Sequence, residues 1–162
     1  MNVLDFIECI LRPSLKSFGF WSIEAEKLLL GTAIQETRLI FLRQRTNKHR
    51  YYGPGFGPFS MEPRTHNDIY LNYLRYRPER LAKVEAFLIP EKDKIEQLAY
   101  NFAYATVMAR LQYLRYPDKI PNDLWGQALL WKKRYNSPIG RGTPEEYVSN
   151  YKRTMSNEIY PG

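Results

Sequence analysis

Apolar residues recur at helical spacing along most of the chain, and the pattern predicts an all-α, mainly helical fold. Ala25, Leu29 and Ala33 share one face of a helix that begins after Ser22 and runs to about Thr37. Ser22 suits the N-cap, with Glu24 and Glu26 as first-turn acids. An earlier helix covers residues 2–11 and is expected to break near Pro13. Pro63 suits a first helical position, opening a helix to about Arg75. Pro78 opens another that carries Leu81, Val84 and Leu88 on one face. A long helix is predicted over residues 91–116, with Ile95, Leu98, Phe102, Ala105 and Ala109 as its inner stripe. Asp123 caps a helix through Leu124, Ala128 and Trp131, and Thr143-Pro144-Glu145-Glu146 forms a capping box for the last one.

Two stretches break the periodicity. Residues 43–60 are rich in arginine, glycine, proline and aromatics, and residues 135–142 form a short loop with Pro138, Gly140 and Gly142. Loops of this composition can bring backbone close to a ligand.

A length of 162 residues and a hydrophobic fraction of 44% imply one globular domain that can bury its own core. The single cysteine, Cys9, excludes an intrachain disulfide, and its apolar surroundings predict a packed core thiol. No apolar run is long enough to span a bilayer, so no membrane insertion is expected. Asp5 and Glu8 precede any basic residue, which argues against a signal peptide and for synthesis in a cytoplasm. The net charge of +7 favours a polyanionic partner: nucleic acid, anionic lipid or bacterial cell wall. Thirteen tyrosines suit sugar stacking, base stacking and core filling alike.

The candidate chemistry starts with Glu36, which continues the face of Ala25, Leu29 and Ala33. A carboxylate at the end of a buried stripe loses solvation, and its pKa rises. A carboxylic acid still protonated near neutral pH is the proton donor that glycosidic-bond cleavage needs. The alternative is a solvent-capped glutamate at a fraying helix end. No metal-ligand spacing joins His49, His66 and Cys9, and neither a glycine-rich phosphate loop nor a nucleophile elbow is present, so no metal and no cofactor are expected. His66 falls in a first helical turn and is expected to pack or meet solvent.

Three segments in order carry a family resemblance. They are Ala33-Ile34-Gln35-Glu36-Thr37, then Gly57-Pro58-Phe59-Ser60-Met61-Glu62-Pro63-Arg64-Thr65, then Leu129-Leu130-Trp131-Lys132-Lys133-Arg134-Tyr135-Asn136 with the closing helix from Thr143 to Tyr151. Together they resemble the lysozyme-like lytic transglycosylases of the soluble type, especially compact phage-encoded relatives, over most of the chain from about Ser22 to Lys152. The first matches that family's Glu-Ser segment, the second its Gly-Leu-Met-Gln segment, and the third its Ala-Tyr-Asn-Ala-Gly segment and final Asn-Tyr pair.

The resemblance implies a lysozyme-like domain over residues 1–162, with 1–21 as an N-terminal helical extension and 22–155 as the family-like core. It implies peptidoglycan as substrate and Glu36 as general acid. Thr37 would hold the glutamate or the sugar, Gly57 would admit backbone to the substrate, and Ser60 would bond in the groove. Tyr135 corresponds to a tyrosine that contacts the catalytic glutamate, and Asn136 fixes its loop; both can equally shape the turn. Glu62 is the candidate second carboxylate of a water-using mechanism, or else a helix N-terminal acid. Location in a phage virion (tail, baseplate or internal core) is expected, with other virion proteins as partners. Departures are Thr37 for serine, Ser60 for glutamine, and Ser137 and Pro138 for alanine and glycine. The altered groove at Ser60 and Pro138 favours the rival, a structural virion protein of the same fold, while the retention of Glu36 favours activity. A nucleic-acid module built on Arg43, Arg45, Lys48, Arg50, Tyr51 and Tyr52 is the weaker rival, because no nucleic-acid fold motif accompanies that cluster.

Overall fold

The computed structural model describes residues 1–45, 52–136 and 140–159. The chain is mostly helical, as its periodicity predicts. In order it forms α1 (Val3–Asp5), a π-helical segment (Phe6–Leu11), α2 (Arg12–Phe18), α3 (Ile23–Thr37), β1 (Arg43–Arg45), β2 (Tyr52–Phe56) and α4 (Pro63–Asn72). A 3₁₀ turn (Leu74–Tyr76) leads to α5 (Pro78–Glu85), α6 (Lys94–Tyr100), α7 (Phe102–Leu114) and α8 (Leu124–Trp131). A second π-helical segment (Lys132–Asn136) and α9 (Pro144–Ile159) complete it.

The caps form as the sequence predicts. The Ser22 side chain accepts from the Ala25 N–H at 3.1 Å, and Asp123 accepts from the Gly126 N–H at 2.8 Å. Thr143 and Glu146 bond reciprocally at 3.0 and 3.2 Å, which closes the capping box.

Four expectations are corrected. The first helix does not break at Pro13 but runs on to Phe18 through the π segment, where the Arg12 N–H reaches back to the Ile7 carbonyl. The wider turn accommodates a proline that has no N–H to offer. The long helix over 91–116 is two helices. Asn101 leaves helical geometry (φ −94°, ψ 84°), and its side chain caps α7 by accepting from the Tyr104 N–H. Residues 43–60 are not wholly irregular: β1 pairs antiparallel with β2, in register Arg43 with Phe56 and Arg45 with Tyr52. Cys9 is exposed rather than packed, because the apolar face of its helix is formed by Val3, Phe6 and Leu11.

The core centres on α3 and α7, both buried nearly all round. In α3 every residue from Leu28 to Ile34 is buried. This helix packs against α7, α8, α9 and the first π segment. Gly31 permits the closest of these approaches. A Cβ there would stand 1.9 Å from the Tyr147 hydroxyl, which donates to the Leu28 carbonyl at 3.1 Å. The N-terminal residues Val3, Phe6, Leu11, Leu15 and Phe18 lie in the same hydrophobic cluster as Leu28 and Val107. His66 is buried, its Nε2 2.7 Å from the Tyr104 hydroxyl, which lies 3.0 Å from that of Tyr70. No described helix is long and apolar enough to cross a membrane.

Candidate active site

Glu36 sits in the last turn of α3, where the stripe of Ala25, Leu29 and Ala33 emerges from the core. The chain leaves α3 through two consecutive left-handed residues, Arg38 (φ 52°) and Leu39 (φ 55°). Neither is glycine, so the turn is strained and needs outside support. Thr37 supplies it. Its buried hydroxyl lies 3.1 Å from the Ala33 carbonyl and 2.8 Å from the Pro58 carbonyl, and it accepts from the Leu39 N–H at 3.2 Å. Thr37 therefore clips the end of α3 to the turn at 57–60, and does not line the cavity that Glu36 lines.

That cavity, of about 280 Å³, is lined by Glu36, Ser60, Glu62, Gln112, Tyr135 and Asn136 among others. The Glu36 residue is only partly exposed, and its carboxylate is withdrawn from bulk water. Burial pushes its pKa up to about 7; the indole of Trp131, donating to Oε1 at 2.9 Å, works against the rise, and the charge of Glu62 adds to it. At pH 7 about half of such a group still carries its proton.

Of the residues singled out by resemblance, the structure brings Ser60, Tyr135, Asn136 and Glu62 to the cavity of Glu36. Gly57 is elsewhere. Its positive φ of 72° and its approach to α6, where a Cβ would meet the Leu98 carbonyl at 1.8 Å, explain the glycine through packing, not substrate access. Ser60 adopts φ 48°, a strained position on the cavity wall. Tyr135 donates to the Phe59 carbonyl at 2.9 Å and stacks on Tyr113, so it holds the 57–60 turn from the far side. Burial, and then the charge of Glu36, push its phenol pKa well above the usual value. Asn136 accepts from Lys132 at 2.8 Å, and Lys132 also donates to the Gly140 carbonyl at 2.6 Å. The second π segment places both Tyr135 and Asn136. Exposed Glu62 precedes α4, and its side chain makes no cap bond to that helix. Ser137, Pro138, Lys48, His49, Arg50 and Tyr51 lie outside the described residues. Arg43 lays its guanidinium 3.9 Å over the Phe56 ring, which ties part of the basic-aromatic cluster into the hairpin.

Sequence reasoning missed Trp131 and Gln112. Trp131 is buried against Tyr147, and Gly142 allows the following loop to lie on its ring, since a Cβ there would come within 2.6 Å of it. A buried indole needs an acceptor, and that requirement was the available signal. Gln112 donates from Nε2 to the Arg134 carbonyl at 2.6 Å, while its buried Oε1 has no hydrogen-bond partner among the described residues. The carbonyl fixes the amide orientation, which leaves Oε1 as an acceptor for a ligand in the cavity.

Comparison with protein-family models, with curated proteins and with solved structures finds no match. The functional reading therefore rests on the residues themselves. A partly protonated carboxyl in a polar cavity, beside an unused acceptor and several hydroxyl and amide groups, can donate a proton to a bound polyhydroxy substrate.

Proposed function

We propose that this protein cleaves the glycan strands of peptidoglycan, as a lytic transglycosylase or muramidase, with Glu36 as general acid. The observation that carries the reading is the Glu36 carboxyl, held at a pKa of about 7 on the wall of a polar cavity. Glu36 protonates the oxygen bridging N-acetylmuramic acid and N-acetylglucosamine as an oxocarbenium-like transition state forms. In the transglycosylase route the same carboxylate then takes the proton of the sugar's 6-hydroxyl, giving a 1,6-anhydro product without water. That route needs one catalytic carboxylate. If Glu62 activates water instead, the product has a reducing end. A lysozyme-like fold and a place in a phage virion, beside other virion proteins, belong to the same proposal and rest on the resemblance of the three segments.

Purified protein acting on isolated peptidoglycan, beside Glu36→Gln, tests the assignment, with mass spectrometry of the released fragments. Expected are 1,6-anhydro products from the wild type and a loss of at least about 10²-fold in the variant. Equal activity of the two proteins defeats it. The second reading, a structural virion protein of the same fold, is favoured by Thr37 and Gly57, which serve packing here and leave the cavity wall to other residues. It requires the wild type to release nothing.

A further inference from the structure

Three cations converge around the first turns of α5. Arg80 and Lys83 stand three positions apart, so they are neighbours on the helix surface, and Arg77 occupies the N-cap just before them. Buried Tyr73 gathers the two arginines. The Arg77 guanidinium donates to the Tyr73 carbonyl at 3.0 Å and lies 4.1 Å from the centre of its ring. Arg80 donates to the Tyr73 hydroxyl and lies 5.6 Å from the centre of the same ring. Arg80 also lies 4.6 Å from the centre of the Phe20 ring. The Lys83 ammonium reaches the neighbouring Gly19, where a Cβ would stand 3.9 Å from Nζ.

Arg77, Arg80 and Lys83 line one cavity of about 410 Å³, with Phe20, Pro78 and Glu79 on its wall. No carboxylate lies within 4.0 Å of any of the three cations among the described residues, and Glu79 pairs with none of them. Each guanidinium spends a single donor on Tyr73 and leaves its other N–H groups without a bond among the described residues; Lys83 spends none. A surface arginine normally extends its head into solvent on a mobile stem. Here both heads are anchored before any ligand arrives, which lowers the ordering cost of binding.

We propose that Arg77, Arg80 and Lys83 bind the phosphoryl group of a phosphate monoester, whose body lies in the same cavity against Phe20 and Pro78. Three cations facing one acid favour a dianion over a monoanion. A planar carboxylate is satisfied by one guanidinium fork, whereas tetrahedral phosphate oxygens can serve two forks and an ammonium from different sides. A cavity of this size suits a small molecule. It shares no lining residue with the cavity of Glu36, so the proposal is independent of the cell-wall reading.

Isothermal titration at about pH 8, where phosphate monoesters are dianions, tests the proposal with inorganic phosphate, phenyl phosphate and benzoate at matched ionic strength. Saturable one-to-one binding of phenyl phosphate is expected, severalfold tighter than inorganic phosphate and about 10-fold or more tighter than benzoate. Arg77→Met, Arg80→Met and Lys83→Met each weaken it by about 5-fold or more. Glu79→Gln removes the one opposing charge and tightens binding by about twofold. Lys152→Met, which removes a cation from exposed surface elsewhere, changes nothing. Lys83 is exposed and holds no other group, so its variant decides the matter if an arginine variant does not fold. Co-sedimentation with phosphatidylcholine vesicles containing phosphatidic acid identifies the source of the group. Pelleting that Lys83→Met abolishes places it on a lipid headgroup, and binding of phenyl phosphate without pelleting places it on a soluble molecule. Wild-type affinity in Lys83→Met, an equal loss in Lys152→Met, weaker binding in Glu79→Gln, or benzoate binding as tightly as phenyl phosphate would each overturn the proposal.

Discussion

Helix α3 carries two withdrawn glutamates, ten positions apart, and treats them in opposite ways. Glu26 in the first turn is 5% exposed; burial alone raises its pKa, but bonds from Arg12 and Trp21 and the charges of Arg12 and Lys16 outweigh that and leave it lowered. Arg12 grips it through two bonds of 2.8 and 2.7 Å, and the Trp21 indole adds a third at 2.7 Å. Glu36 in the last turn also receives an indole, from Trp131, but no cation among the described residues, and Glu62 repels its charge. One tryptophan donor is therefore not enough to keep a buried carboxyl ionised; the counter-ion decides. The helix ends add to the contrast, since an N-terminal turn favours a negative charge and a C-terminal turn disfavours it. Glu26 is fixed as an anion that joins α2 to α3, whereas Glu36 remains able to give up a proton near neutral pH.

The largest effect is expected where ionisation of Glu36 is removed. Its folded pKa of about 7 stands above the unfolded value of 4.5, so the folded state binds this proton more tightly. Below pH 4.5 the group is neutral in both states and costs nothing. Between pH 4.5 and 7 the unfolded state alone ionises, and stability falls; above pH 7 the loss levels off at roughly 3 kcal/mol. Glu36→Gln should therefore unfold near the wild-type urea midpoint at pH 4 and be more stable by up to that amount at pH 8. A constant difference across the range would mean that the carboxyl is not withdrawn from water as described. In an active enzyme, the cleavage rate falls on the alkaline side with an apparent pKa near 7, because the acid form is the donor.

The reverse change is to strip Glu26 of its counter-ion. Arg12→Met turns it into a second carboxyl with only an indole. A loss of stability is expected near pH 7, smaller than for a fully enclosed pair because the Arg12 side chain is 36% exposed. Wild-type Glu26 has a lowered folded pKa, so its contribution is present above the unfolded value and disappears as pH falls through the folded one. The cost of the substitution must therefore shrink below about pH 4. Urea unfolding at pH 3.5 and pH 7 measures it, and an equal loss at both would assign the effect to packing of the arginine stem.

How much of this contrast was legible in the chain depends on the range of the contacts. Ser22, Asp123, Thr143 and the prolines at 63 and 78 act within three residues, so spacing alone locates the helices they start. The stripe from Ala25 to Ala33 likewise carries Glu36 to the end of a buried face. The break at Asn101 was hidden, because that amide also reaches the Phe87 carbonyl at 2.7 Å across the fold. Trp131 was hidden for the same reason, lying 95 positions from the carboxyl that it holds. Thr37 and Gly57 resembled groove residues by position, yet a short hydroxyl and an absent Cβ serve close packing equally well, and only the Pro58 and Leu98 carbonyls reveal which use applies. Gln112 lay in a helix predicted from its apolar stripe, which says nothing of a polar residue on the neighbouring face.

Replacing each indole in turn sharpens the comparison further. The Trp131 bond holds the Glu36 pKa down, so Trp131→Phe raises it, and the alkaline limb of activity moves upward by up to about one pH unit. Loss of orientation lowers the rate about 10-fold. Trp21→Phe removes the corresponding bond from Glu26, but Arg12 remains. The expected cost is about 1 kcal/mol of stability with little change in how it depends on pH. Equal pH behaviour in the two variants would contradict the dominant part assigned to the counter-ion.

The smallest effect, and the most discriminating for mechanism, is expected at Glu62. Its charge raises the Glu36 pKa, by less than burial does and less than the Trp131 bond lowers it. Glu62→Gln removes the repulsion, so the alkaline limb moves downward, by less than about one pH unit. If Glu36 works alone, the rate at pH 6 stays within about threefold of the wild type and the anhydro product persists. If Glu62 activates water, the same substitution lowers kcat by about 10²-fold or more and removes reducing-end products. The rate and the product therefore answer together, and a shift of the pH limb without loss of rate leaves Glu62 as a neighbour that sets the acidity of Glu36 and takes no proton itself.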